Sequence, residues 1–316
     1  MKTVAKEDKL QFFRDEIEKL KKEKNALIMA HYYQRDEIQE IADFIGDSLA
    51  LARQAAKTDA DIIVMCGVHF MGETAKILCP DKKVLIPDAK AGCSLADSCD
   101  PEKFREFVET HPDYTVISYV NTSAAVKALT DIVVTSGNAR QIVEKLPEEE
   151  KIIFGPDHNL GEYINSATGR NMLLWNGACH VHDRFSLEKI IEMKKQHPGA
   201  KILVHPECKR PLQLIADKVG STAALLDFAQ KDEAKEYIVV TESGILFEMR
   251  NKCPEKTFLA APAEDAECQC NECDYMKMNT LQKVYECLRD ETPEIIVDEE
   301  VAQKAVRPIQ RMLEMS

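Results

Sequence analysis

Ala26-Leu27-Ile28-Met29-Ala30-His31-Tyr32-Tyr33 is a short apolar run that stops on a histidine and two tyrosines. An apolar run of this length without polar alternation marks a strand buried on both faces, the kind found in parallel sheets. Its surroundings agree. Residues 9–24, just before it, carry Leu, Phe and Ile among charges at helical spacing. Gly46-Asp47-Ser48 opens a further helix, with Leu49, Leu51, Ala52, Ala55 and Ala56 suited to its buried side. Asp61 to Met65 reads as the next strand, 72–79 as a helix, and Val84 to Ile86 as a strand, followed by Cys93. Alternating strands and helices predict parallel α/β units.

The same order returns twice. A helical pattern over 101–110 leads through His111-Pro112 to a strand from Thr115 to Val120. Another over 186–196 leads through His197-Pro198 to a strand from Lys201 to Val204. The strand ends His31/Tyr33, Tyr119/Asn121 and His205/Glu207 are offset by 88 and then 86 positions. Ser48, Ser136 and Ser221 at the helix starts are offset by 88 and 85, and strand starts near Ile62, Ile152 and Ile238 by 90 and 86. Each unit closes on a cysteine: Cys93, Cys179, and one of Cys268, Cys270 or Cys273. Together these features predict a threefold internal repeat, too long per unit for a solenoid. The expected units are 1–93, 94–179 and 180–276, with 277–316 adding a last helix and strand that return to the first. Length alone, 316 residues, points to two domains.

Composition narrows the function. With 41 Lys+Arg against 54 Asp+Glu, the net charge is −13, which argues against a general nucleic-acid or anionic-membrane binder. It leaves room for a local pocket that takes a small anion. No apolar run approaches the ~18 residues of a membrane span. The N-terminal Met1-Lys2-Thr3-Val4-Ala5-Lys6-Glu7-Asp8 lacks a signal-peptide core, so a cytoplasmic location is expected. Eleven cysteines in a reducing compartment predict free thiols, some of them metal ligands, rather than a disulfide framework.

Ligands of parallel α/β units bind beyond the carboxyl ends of the strands. His31 and Tyr33 with Ser48, Tyr119 and Asn121 with Ser136, and His205 and Glu207 with Ser221 and Thr222 therefore face one site if the units meet around an axis. Helix N-termini with hydroxyls suit carboxylates or phosphate, although any one serine alone is most simply a cap. His31, His182 and His205 offer proton transfer near neutrality. Cys66, Cys79, Cys99, Cys208, Cys253 and Cys287 are expected as small buried residues. One thiolate per unit suits a [4Fe–4S] cluster with an open iron acting as Lewis acid, and spacing leaves zinc open as well.

At this point the chain resembles the quinolinate synthases over nearly its whole length. The resemblance is carried by Ala30-His31-Tyr32-Tyr33, Ile41-Ala42-Asp43-Phe44-Ile45-Gly46-Asp47-Ser48-Leu49, Tyr119-Val120-Asn121, Phe154-Gly155-Pro156-Asp157 and Asn159-Leu160-Gly161. It continues through Gly177-Ala178-Cys179-His180-Val181-His182, Val204-His205-Pro206-Glu207-Cys208, Val219-Gly220-Ser221-Thr222 and Met276-Lys277-Met278-Asn279. It implies three homologous three-layer αβα domains around a pseudo-threefold axis. It also implies condensation of iminoaspartate with dihydroxyacetone phosphate to quinolinate, with loss of phosphate and two waters. By the same resemblance one [4Fe–4S] cluster per chain is held by Cys93, Cys179 and Cys273. Substrate contacts are implied for His31, Tyr33, Ser48, Tyr119, Asn121, Ser136, His182, His205, Glu207, Ser221 and Thr222. Tyr33, His205 and Glu207 are the expected proton movers. Transient contact with an iminoaspartate-producing enzyme is also expected. The chain departs from some relatives in its Cys268-Gln-Cys270-Asn-Glu-Cys273 run. A Cys268–Cys270 disulfide would be strained, and a Cys270–Cys273 pair would compete with ligation. A different cluster-dependent hydro-lyase, or a zinc or redox-sensing protein, remain the alternative readings.

Overall fold

The computed structural model describes residues 2–264 and 271–316, with side chains from residue 7 onward. Its strands are β1 (Ala26–His31), β2 (Phe44–Gly46), β3 (Ile62–Cys66), β4 (Lys83–Leu85), β5 (Thr115–Tyr119), β6 (Ile132–Val134), β7 (Ile152–Gly155), β8 (Leu173–Leu174), β9 (Lys201–Val204), β10 (Lys218–Val219), β11 (Glu236–Val240) and β12 (Thr257–Ala260). They form three parallel sheets with one topology: β2-β1-β3-β4, β6-β5-β7-β8 and β10-β9-β11-β12.

Side-chain alternation explains how the sheets meet. Met29, Ile117 and Leu203, offset by 88 and 86, all enter one central core. Their neighbours one residue away turn to the opposite face, as a period of two requires. Ile28 and Ala30 pack beneath the helices Lys2–Glu23 and Leu281–Asp290. Val116 meets Phe104 and Val126, and Ile202 and Val204 meet Ile190 and Leu212. Each sheet thus has one face on the shared core and one on its own outer helices, giving three αβα layers. Since His31 and Tyr119 follow Met29 and Ile117 by two, and His205 follows Leu203 by two, all three face inward.

The repeat extends to individual hydrogen bonds. Asp43, Asp131 and Asp217 each accept the N–H of the strand residue 15 positions earlier, Ile28, Val116 or Ile202, at 2.8, 2.9 and 2.8 Å. Gln39, Lys127 and Gln213 likewise occupy one repeat position. Gln39 Nε2 donates to the Tyr32 and Gln34 carbonyls at 3.1 and 3.0 Å. Gln213 Nε2 donates to those of Pro206 and Cys208 at 2.9 and 2.7 Å, and Lys127 Nζ to that of Thr122. These ties hold the loops just past β1, β5 and β9.

Two local expectations change. The edge strands β2, β6, β8 and β10 span two to three residues, too few to show a periodicity in the sequence. Within 277–316 the expected helix is Leu281–Asp290, the strand reduces to an antiparallel bridge of Glu294 to Leu85 of β4 in the first sheet, and a further helix, Glu299–Met315, follows, with Ala305, Ile309 and Met312 buried at helical spacing. That helix lies against β6 and the helix Ala124–Lys127 of the second repeat and also against the helix His69–Leu78 of the first, while Leu281–Asp290 packs on Lys2–Glu23 of the first.

Candidate active site

The inward-facing strand ends meet at one pocket between the three sheets. His31 and Tyr33, Tyr119 and Asn121, and His205 and Glu207 line it from the three sheets, joined by Ser48, Ser136, His182 and Thr222. Cys93, Cys179 and Cys273 line the same pocket.

A continuous polar chain crosses it. The Tyr33 hydroxyl shares hydrogen bonds with Thr222 Oγ1 at 2.8 Å and Thr241 Oγ1 at 2.7 Å. Thr241 Oγ1 meets His182 Nε2 at 2.9 Å, and His182 Nδ1 meets Glu207 Oε2 at 2.9 Å. Tyr119 donates its hydroxyl proton to Glu207 Oε1. His205 stacks on His182 with ring centroids 4.5 Å apart, and its Nδ1 accepts the Glu207 N–H at 3.4 Å. His31 Nδ1 accepts the Tyr33 N–H at 3.1 Å, the same turn in the first repeat.

Burial sets most protonation states. It drives the pKa of His31 down to about 3, and burial with His182 alongside does the same for His205. Both rings are therefore neutral. Burial alone would raise Glu207, but His182 against one oxygen and donation from Tyr119 to the other outweigh it and hold the carboxyl at about 2. Burial pushes Tyr33 and Tyr119 well above the usual phenol value, so both stay protonated donors.

The helix starts are less alike than the sequence register implies. Ser48 is the first residue of Ser48–Ala55, and Asp47 is its cap, accepting the Ala50 N–H at 3.0 Å. Ser221 caps Thr222–Lys231, accepting the Ala224 N–H at 3.3 Å, and is not among the pocket-lining residues. Ser136 lies ahead of Ala139–Lys145, whose cap is Asn138, and lines the pocket with Tyr119 instead. The sheet register makes Ser48, Ser136 and Thr222 the equivalent positions.

The three cysteines share a local structure. Cys93, Cys179 and Cys273 each occupy the N-cap of a four-residue helix: Ser94–Asp97, His180–Asp183 and Asp274–Lys277. Burial raises their thiols, Cys93 to about 12, Cys273 to about 11 and Cys179 further. Helix amides oppose it: those of Ala96 and Leu95 at Cys93, His182 at Cys179, and Met276 and Tyr275 at Cys273. Such thiols stay neutral alone and lose their protons to a bound metal. Cys179, His182 and Glu207 also present ligand atoms within 4.8 Å of one another.

The family model for NadA, quinolinate synthetase A protein, matches residues 15–314. The chain belongs to that family. It is 56% identical over 302 residues to the quinolinate synthase of Chloroherpeton thalassium, covering 96% of this chain and 94% of that protein. It is 57% identical over 300 residues to the quinolinate synthase of Microcystis aeruginosa, covering 95% and 94%. As a member of the quinolinate synthase family it is an enzyme of NAD biosynthesis.

Sequence reading of this quinolinate synthase family member missed Thr241, Glu242 and Lys277. Thr241 joins Tyr33 to His182, and Glu242 ties Cys273 and Lys277 to the strand end of β11. The available signal was a polar pair directly after the apolar strand ending at Val240. The six cysteines expected as buried residues are buried, and all the described cysteines are free. Cys268 and Cys270 lie outside the described residues. No helix of the described chain is long and apolar enough to cross a membrane.

Proposed function

We propose that this chain condenses iminoaspartate with dihydroxyacetone phosphate, releasing phosphate, two waters and quinolinate. The observation that carries the reading is the convergence in one pocket of strand-end donors and bases from three sheets with one thiol per repeat. The family identity supports the same reaction.

Cys93, Cys179 and Cys273 are the residues that would hold a [4Fe–4S] cluster. Their donor set fits: three thiols lining one pocket, and helix amides that favour the thiolate. Three ligands leave one iron open, and when bound the group supplies a Lewis acid toward an oxygen that leaves as water.

The protein's own groups do the rest. Thr222 with Ser48 and Ser136 line the pocket at helix starts and before a helix, and supply hydroxyl donors to carboxylate or phosphate oxygens. Asn121 Oδ1 is buried without a protein partner, an acceptor left for a substrate N–H or O–H. Tyr119 holds a proton at its hydroxyl against the Glu207 carboxylate, and Tyr33 holds another against Thr222 and Thr241. Glu207 is the base, His182 connects it to Thr241 and Tyr33, and neutral His205 backs the pair. Imine formation and ring closure need protons taken from carbon and nitrogen and given to oxygen. This chain has an acid and a base within one network for that work.

We further place this enzyme in the cytoplasm, where free thiols persist. Transient contact with an iminoaspartate-producing enzyme fits a substrate that hydrolyses in water. The deciding experiment is anaerobic reconstitution with iron and sulfide followed by assay with both substrates. About four iron per chain and quinolinate formation support the reading. A chain that binds one zinc, or that dehydrates a hydroxy acid and makes no quinolinate, overturns it.

A further inference from the structure

Two buried carboxylates outside the proton network stand at matching places in two repeats. Asp157 is the second residue past β7 and Glu242 the second past β11; the first repeat has Val68 at that place, past β3. Sheet register confirms the match, since Cys66, Gly155 and Val240 pair with the equivalent Ala30, Ser118 and Val204. Asp157 Oδ2 accepts the Cys179 N–H at 3.2 Å, and Glu242 Oε1 accepts the Cys273 N–H at 3.1 Å. Both side chains belong to residues 0% exposed.

Burial raises the pKa of both, and carboxyl groups so deep persist only where several donors hold them. Asp157 Oδ1 accepts the Leu160 N–H at 2.8 Å and so caps His158–Thr168. Glu242 caps no helix: Oε2 accepts the Gly244 N–H at 2.7 Å, and Oε1 also meets Lys277 Nζ at 3.1 Å. Capping therefore accounts for one oxygen of Asp157 and for nothing at Glu242. What the two share is the amide of a pocket cysteine, 22 or 31 residues further along the chain.

The backbone around Cys179 is pressed onto the same strand end. Gly177 N–H donates to the Pro156 carbonyl at 3.0 Å, and a Cβ on Gly177 would lie 2.6 Å from that oxygen. On the other side, Lys277 Nζ donates to the Tyr33 carbonyl at 2.8 Å. Glu242 thus links the Cys273 segment to the loop that carries Tyr33.

We infer that Asp157 and Glu242 are positioning residues for Cys179 and Cys273, each fixing a ligand cysteine through its backbone amide and so the sulfur's hold on iron. The inference rests on the three-cysteine reading above. Groups that orient metal ligands commonly change metal affinity by about 10–100-fold.

Asp157→Asn and Glu242→Gln test it in the full chain. Asn caps helices as well as Asp does, so one oxygen stays for Leu160, while an NH₂ is set against the Cys179 amide. Gln likewise keeps an oxygen for Gly244 and turns an NH₂ on the Cys273 amide. Wild type and variants are reconstituted anaerobically with iron and sulfide, iron loss to a ferrous chelator is timed, and the cluster reduction potential is recorded. Thermal unfolding of the apo proteins is measured alongside. The expected result is iron loss about 10–100-fold faster in both variants, with shifted potentials and apo unfolding close to wild type. Wild-type release rates and potentials in both variants overturn the inference. So does faster release in Asp157→Ala with wild-type release in Asp157→Asn, since the effect then belongs to the helix cap. A wild-type chain that takes up no iron overturns the three-cysteine reading itself, a result separate from these.

Discussion

Tyr119, at the end of β5, donates its hydroxyl proton to Glu207, which lies 88 residues away beyond β9. The pair joins the second and third repeats across the pocket. It gives Glu207 a donor that sustains its charge and gives Tyr119 a fixed direction. Glu207→Gln keeps the shape and removes the base. Quinolinate formation should fall by at least about 10²-fold, in line with general-base contributions, while iron content stays at the wild-type level. Normal turnover in this variant would remove Glu207 from the proposed chemistry.

Tyr33→Phe should lower turnover less than Glu207→Gln does, because Thr241 keeps its hydrogen bond to His182 and Glu207 keeps its partners. A drop confined to about 10–10²-fold in kcat is expected. Steady-state rates with both substrates, compared at equal iron content, measure it. A loss equal to that of Glu207→Gln would make the tyrosine an essential proton donor.

Serine at Cys93, Cys179 or Cys273 should each prevent stable cluster assembly, visible as loss of the broad iron–sulfur absorption after anaerobic reconstitution. Serine at Cys66 or Cys253, both buried away from the pocket, should leave that spectrum intact. An unchanged spectrum in any of the first three would strike that residue from the ligand set.

Stability should fall in acid. His31 and His205 have native pKa values near 3 against 6.5 for the free side chain, so below pH 6.5 the unfolded chain binds protons that the native chain refuses. Stability is therefore retained above about 6.5 and lost as the pH falls toward 3. Glu207, lowered from 4.5 to about 2, adds a loss of the same sign below 4.5. Between about pH 7 and pH 5 each histidine should cost on the order of 2 kcal/mol. Urea unfolding of the apo protein at the two pH values reads this, and His205→Asn should flatten the difference.

Lys127 should tolerate Gln better than Ala. Its repeat equivalents, Gln39 and Gln213, perform the same carbonyl tie with an amide, and burial lowers the Lys127 pKa to about 8. Lys127→Ala leaves the Thr122 carbonyl without this donor and should cost about 1–3 kcal/mol. Lys127→Gln should cost less, as judged by urea midpoints.

Apolar runs with regular offsets are a property of the chain itself, and the sequence by itself determined the three parallel α/β units. Strands buried on both faces must be apolar throughout, so Ala26–Ala30 and its two counterparts were legible. The strand-end positions His31, Tyr33, Tyr119, Asn121, His205 and Glu207 followed, because their side depends only on a period of two. Family motifs supplied Cys93, Cys179 and Cys273. Tertiary structure alone decided which groups touch. Thr222 rather than Ser221 faces the pocket because one residue of helix start turns a side chain by about 100°. Thr241, Asp157 and Glu242 act through contacts between segments distant in sequence, and no local pattern encodes a partner 22, 31 or 208 residues away. The neutral histidines and the ionised Glu207 likewise come from burial and contact, which exist only once the three sheets close on one another.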